Sequence, residues 1–186
     1  DQGAVSSALA GALRDADGFV SGSGRKPKDV KAEVQARMSD YAGIICTADE
    51  VRSALQSATA LRREVETNGL DASSAAMVGQ AFRWRHMVWV SEAVLTALDH
   101  YISAGGGSRG ARAICSKAGT RCPDASIEDL SHFRFIEEQA NDKEAKLIVH
   151  RSADGITIRS QPVNRDPQVH REFFEKGWGS YLIEEG

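Results

Sequence analysis

Aromatic side chains are scarce in this chain. They make up 6% of its 186 residues, and seven of the twelve gather in two places, residues 82–89 and 173–181. No apolar run approaches the ~20 residues of a membrane-crossing helix, so no membrane span is expected. There is no basic excess either: the net charge is −3 with 26% charged residues, which excludes the footprint of a nucleic-acid binder. Cysteines number three, Cys46, Cys115 and Cys122, in a spacing that is not a metal pattern. An odd, sparse set argues against a disulfide framework and for a reducing, cytoplasmic compartment. No basic-then-apolar segment opens the chain, so no signal peptide is expected. The first residues already read as helix, as a trimmed piece of a longer chain would. No repeat is present.

What remains is an ordinary soluble composition with 41% hydrophobic residues, enough for one compact domain. Val5, Ala8, Leu9, Ala12, Leu13 and Ala16 recur at three- and four-residue steps and predict a first helix over residues 3–16. The glycine- and serine-rich stretch to Lys26 reads as a flexible loop. Pro27 opens a second helix, with Val30, Val34, Met38 and Ala42 on one face and Gly43 ending it. Thr47 and Glu50 have the spacing of a capping box. The third helix they start carries Val51, Leu55, Ala58, Leu61 and Val65 and stops at Asn68-Gly69. A fourth helix, residues 73–104, is roughly 45 Å long at ~1.5 Å per residue. Its middle is apolar nearly all round, which predicts that the other helices pack about it. His132 to Ile136 has the pattern of a strand. Lys146 to Arg151 and Ile156 to Gln161 read as a β-hairpin turning at Asp154-Gly155. A final short helix carries Phe173, Phe174, Trp178 and Tyr181. The expected fold is thus mainly α: a bundle around one long central helix, with a small hairpin and a terminal helix. Residues 1–112 form the bundle, and residues 113–186 hold an irregular segment, the hairpin and the last helix, packed on it as one unit.

Four sets of residues invite a functional reading. Residues 105–110, Gly-Gly-Gly-Ser-Arg-Gly, satisfy the glycine spacing of a dinucleotide fingerprint. That fingerprint must follow a strand and open a helix. Here it closes a helix, where carbonyls point outward and the dipole is negative, so the helix-ending reading is preferred. Arg109 and Arg112 sit beside it, and a guanidinium there either anchors the loop to a carboxylate or carbonyls, or stands exposed. Arg83, Arg85, His86 and Glu92 interrupt the apolar helix, with Arg85 and Glu92 seven apart on one face. Either they pair with neighbouring helices, or that face meets solvent or another domain. Cys115, Cys122 and His132 supply no fourth ligand for zinc. An independent enzyme built on Arg109, Arg112 and His132 would need a pocket that nothing in the sequence indicates.

Several stretches in order resemble the C-terminal helical region of the succinate dehydrogenase/fumarate reductase flavoprotein family. Residues 28–45 are similar to its helix ending in a methionine … alanine-glycine-valine turn, and residues 47–65 to the helix that follows. Arg85-His86-Met87-Val88 with Glu92-Ala93 resembles its arginine-asparagine-methionine-leucine … alanine-glutamate stretch. Ser108-Arg109-Gly110-Ala111 matches its serine-arginine-glycine-alanine signature, and Pro162-Val163 with Phe174 and Trp178 resembles its tail. The chain departs from the pattern at Gly107, where an acidic residue is usual, at Arg112, where histidine is usual, and at residues 113–116. The resemblance implies a parent protein that is an FAD-dependent oxidoreductase acting on CH–CH groups, with its flavin and catalytic groups upstream. No catalytic, cofactor-binding or metal-binding residue is expected within these 186 residues, which alone should be inactive. Ser108, Arg109, Arg112, Arg85 and Glu92 are the candidates for contact with the flavin domain. The implied partner is that domain of the same polypeptide, with an electron-transfer subunit left open as a second. The competing expectation is a free-standing helical interaction module without catalytic activity.

Overall fold

The computed structural model describes residues 2–21, 23–110, 112–115, 136–139, 144–152, 155–164, 166 and 168. In chain order the elements are helix α1 (Gln2–Ser21), helix α2 (Pro27–Tyr41), strand β1 (Ile45–Thr47), helix α3 (Ala48–Asn68), helix α4 (Ala75–Ser103), strand β2 (Ala113–Cys115), strand β3 (Ala145–Ser152) and strand β4 (Gly155–Pro162). The mainly helical fold with a small hairpin is the one expected from periodicity. The final helix, Cys122, His132 and Asp154 lie outside the described residues.

The bundle is organised by one seam. In α3 the buried residues are Val51, Ala54, Ala58, Leu61 and Val65. In α4 they are Ala81, Val88, Ser91, Glu92, Leu95 and Leu98. The α3 series steps by three and four, and the α4 series returns to one face at 81, 88, 91, 95 and 98, the spacing that lets two helices interlock along a narrow stripe. Leu61 and Val65 share a core cluster with Ala81 and Val88. Val51, Ala54 and Ala58 share a second with Leu95 and Leu98. The two helices therefore run antiparallel. Helix α2 lies along them through Val30 and Val34, and Met38 touches both clusters.

Local chemistry sets the boundaries. Pro27 occupies the first turn of α2, where its missing N–H is not needed. Thr47 Oγ1 accepts from the Glu50 N–H at 3.4 Å and donates to Glu50 Oε2 at 2.8 Å, starting α3. Gly69 ends α3 at φ +68, a conformation side chains resist. Helix α1 continues to Ser21, five residues beyond the expected end. The stretch after it is tethered: Ala72 N–H donates to Phe19 O at 2.9 Å and Asp71 N–H to Arg25 O at 3.0 Å. A Cβ on Gly24 would strike the Gly69 carbonyl. The expected free loop is instead a close crossing of two connections.

Two further differences concern strands. β1 and β2 pair in parallel, with Cys46 opposite Ile114, a contact between two mostly buried triplets far apart in sequence. β3 and β4 pair antiparallel with Ser152 opposite Gly155, so Gly155 belongs to the strand rather than the turn centre.

Because Leu95 is wholly buried in the seam, Leu95→Ala should cost about 2–5 kcal/mol. Equilibrium urea unfolding followed by circular dichroism measures this, and a loss under about 1 kcal/mol would contradict the packing.

Candidate functional site: the arginine loop and the first helix

The end of α4 is built by three glycines with three different reasons. Gly105 N–H donates to Ile102 O and Gly106 N–H to Tyr101 O, both at 2.9 Å. With Gly105 at φ +87, this is the double-bonded helix stop that a left-handed glycine permits. A Cβ on Gly106 would enter the Tyr101 ring, and one on Gly107 would enter the backbone of Glu137. The Tyr101 hydroxyl donates to Gly107 O at 2.8 Å and locks the turn. The run is a helix terminator fitted against two neighbours, and its amides face α4 rather than a phosphate.

Ser108 then ties three segments together. Its N–H donates to Ile136 O at 2.8 Å, its Oγ accepts the Ile114 N–H at 3.0 Å, and Ile136 N–H donates to Ile114 O at 2.8 Å. Arg109 and Arg112 exchange both backbone hydrogen bonds, at 3.0 and 3.1 Å, around Gly110 at φ +60. This tight turn aims the two guanidinium groups apart. Arg109 Nε lies 3.5 Å from Glu138 Oε1. Arg112 donates from NH2 to Ala42 O at 2.9 Å and from Nε to Gly43 O at 3.3 Å. Ala42 caps the C-terminus of α2, where the carbonyl end of the helix dipole favours a cation. Arg112 therefore holds the α2 terminus and the loop in one place. With Lys146, Tyr101 and Val163, these arginines line a hollow of about 430 Å³.

Arg85 and Glu92 are spaced for one face yet serve different neighbours. Arg85 NH2 lies 2.8 Å from Asp15 Oδ2 on α1, and its guanidinium covers Phe19, Phe82 and Trp89 at 5.1–5.3 Å. Phe19 meets Phe82 edge-on at 5.0 Å. Glu92, 6% exposed at its side chain, meets Arg62 Nε of α3 at 2.6 Å. Arg62 also pairs with Glu66, which holds Arg151 of β3 at 2.5 Å. Arg151 in turn stacks on Trp89 at 3.9 Å. Sequence reasoning singled out neither Arg62 nor Arg151. The only readable signal was the basic residue in each otherwise apolar-patterned face.

Asp15 and Phe19 hold the C-terminal half of α1, while residues 2–10 are exposed throughout. Val5, Leu9, Leu13 and Val20 are 67%, 60%, 58% and 55% exposed. Scattered exposed leucines mean little, but these continue one helical face.

The described fold is similar to a solved one. A structure of a mutant form of E. coli quinol fumarate reductase FrdA superposes with a TM-score of 0.56 and 16% identity, over 90% of this chain and 26% of that one. The chain thus spans about a quarter of the length of that protein, and the likeness is one of fold. No family model matches the sequence, and no curated protein does.

Among the described residues no group of three or more His, Cys, Asp or Glu is placed to hold a metal, and no helix is long and apolar enough to cross a membrane. Cys46 and Cys115 are buried and free. Burial pushes both thiols up, with Glu50 adding to the rise and Arg112 opposing it at Cys46. An upward shift leaves less thiolate at neutral pH than free cysteine has, and the thiolate is the reactive form. In a Cys122→Ser background, both thiols should react with a thiol-specific reagent far more slowly than free cysteine until guanidinium unfolds the chain. Immediate reaction of either would contradict their burial. Gly107→Ala should lower stability by about 1–3 kcal/mol by forcing the Glu137 backbone aside, measured by denaturant unfolding. An unchanged midpoint would contradict the close approach.

Proposed function

We propose that this chain is the helical C-terminal part of an FAD-dependent oxidoreductase of the succinate dehydrogenase/fumarate reductase type, and that it braces a flavin domain of the same polypeptide. The observation that carries the reading is the first half of α1. Here nine consecutive residues, 2–10, stand exposed, and each large aliphatic left bare forgoes about 1.5–3 kcal/mol of burial. A face of that kind is complete only against another surface. The fold likeness to a quarter of FrdA, together with the family-like stretches at residues 28–65, 85–93 and 108–111, supports a flavin domain as that surface. Asp15 and Phe19 join the second half of α1 to Arg85 of α4, and its first half stays exposed. Ser108, Arg109 and Arg112 fix the loop at the other end of α4, a second place where such a domain is to be met.

In this reading the catalytic groups and the FAD belong to the flavin domain, and this part supplies rigidity. The parent polypeptide should retain FAD through gel filtration with a perturbed visible flavin band. The 186-residue chain alone should leave the spectrum of added FAD unchanged. Leu9→Asp with Leu13→Asp should lower flavin retention of the parent at least tenfold while leaving the unfolding free energy of the isolated chain within about 0.5 kcal/mol. Tight FAD binding by the isolated chain, or full retention by the double variant, would overturn the proposal.

A further inference from the structure

Val90, Ala93, Val94 and Ala97 recur at three- and four-residue steps along α4 and so share one face of that helix. Ala145, Leu147 and Val149 alternate along β3 and share one face of that strand. The two rows do not close on each other. The small side chains at 93 and 97 leave a trough of about 380 Å³ between α4 and Val149, and Val90 and Val94 stay 36% and 37% exposed. Beside Val90, Arg151 lies over the Trp89 ring with its charge met by Glu66. At its other end the trough runs into the hollow beside the arginine loop, since Leu98, Tyr101 and Arg112 line both.

The hollow has the opposite chemistry. Arg109, Arg112 and Lys146 line it, and among its described lining residues there is no acid. Arg109 lies 3.5 Å from Glu138. Arg112 gives two of its five N–H groups to the carbonyls of Ala42 and Gly43, which are neutral and leave its charge in place. Lys146 is exposed. We infer that trough and hollow together form a binding site for an anionic amphiphile, with a linear alkyl chain in the trough and its carboxylate at Arg112 and Lys146. From Val90 to Tyr101 the floor is about 16 Å long at ~1.5 Å per residue. Spread over that length, the space suits a single extended chain of methylenes and is too slender for a helix of ~10–12 Å diameter. Guanidinium meets a carboxylate in a planar two-point geometry, and the ammonium adds a point charge. An apolar cleft with a few convergent polar groups at one end is the usual form of a small-ligand site. The inference stands apart from the flavin reading, and its test needs only the 186-residue chain.

Dodecanoate, whose extended tail is about as long as the trough, is titrated into that chain below its micelle concentration. Calorimetry should give a single site. Butanoate should bind weaker by roughly a hundredfold or more, since each buried methylene contributes up to about fourfold in affinity. Dodecyltrimethylammonium should bind weaker by roughly tenfold or more, and so should dodecanoate to the Lys146→Glu variant, because each change sets like charges together. Ala97→Phe fills the trough from a half-buried position and should abolish binding with the far-UV circular dichroism unchanged. In methyl NMR spectra dodecanoate should shift Val90, Val94 and Val149 and leave Val5 of α1 in place. Equal binding of butanoate or of the cationic amphiphile, binding left intact by Lys146→Glu, or shifts at Val5 alone would each overturn the inference. Unmoved Val90 and Val94 signals would overturn it too, and would mean that another segment or a partner holds the trough.

Discussion

Val51, Ala54, Ala58, Leu61 and Val65 of α3 lie against Ala81, Val88 and Leu95 of α4 along one narrow line, and the other described parts are hung from it. The residues on this line are small or medium and aliphatic, so the helices approach closely with few aromatics in the contact. That is how a chain with 6% aromatic content still builds a buried core. The same closeness makes the one carboxylate in the seam, Glu92, dependent on Arg62 across it. A buried charge of this kind is tolerated only when paired.

Charged side chains elsewhere act as staples between elements. Arg85 joins α4 to α1, Arg112 joins the loop to the end of α2, and Arg151 joins the hairpin to α3 and to Trp89. Guanidinium suits this work because its planar fork can pair with an acid or carbonyl while its face covers a ring. Arg85, Arg112 and Arg151 thus serve three separate joints, while Arg109 and Arg112 line one hollow. Around the glycine run, the bonds from Gly105 and Gly106 return to α4, which makes the segment the end of a rod rather than a cradle for a ligand.

The helices were legible because burial repeats every three to four residues, and Val30, Val34, Leu61 and Val88 obey that rule. α1 outran its expected end because Asp17 and Gly18 weaken the pattern while Phe19, packed on Phe82, continues the helix from the tertiary side. The pairing of β1 with β2 was hidden because three-residue strands carry no measurable alternation, and parallel partners lie far apart in the chain. Residues 113–115 stood out only as a departure from the family pattern; here they form the buried strand that reaches Ile44 and Cys46. The hairpin was visible, but its register is set by the pairing of Ser152 with Gly155, one step from where the dipeptide suggested. Among the site residues, the positions of Ser108, Arg109 and Arg112 were readable and their partners were not, since Ala42, Gly43, Ile114 and Glu138 come together only in three dimensions.

The proposed supporting role beside a larger module rests on the fold, the family-like stretches and the exposed first half of α1. That role depends on α1 being completed by something outside these residues. Amide hydrogen exchange at residues 5–13 tests it most directly, compared between the isolated chain and the parent polypeptide. The account requires rapid exchange in the isolated chain and at least a hundredfold slowing in the parent, with the α3–α4 seam equally protected in both. Equal exchange at residues 5–13 in the two settings would contradict it.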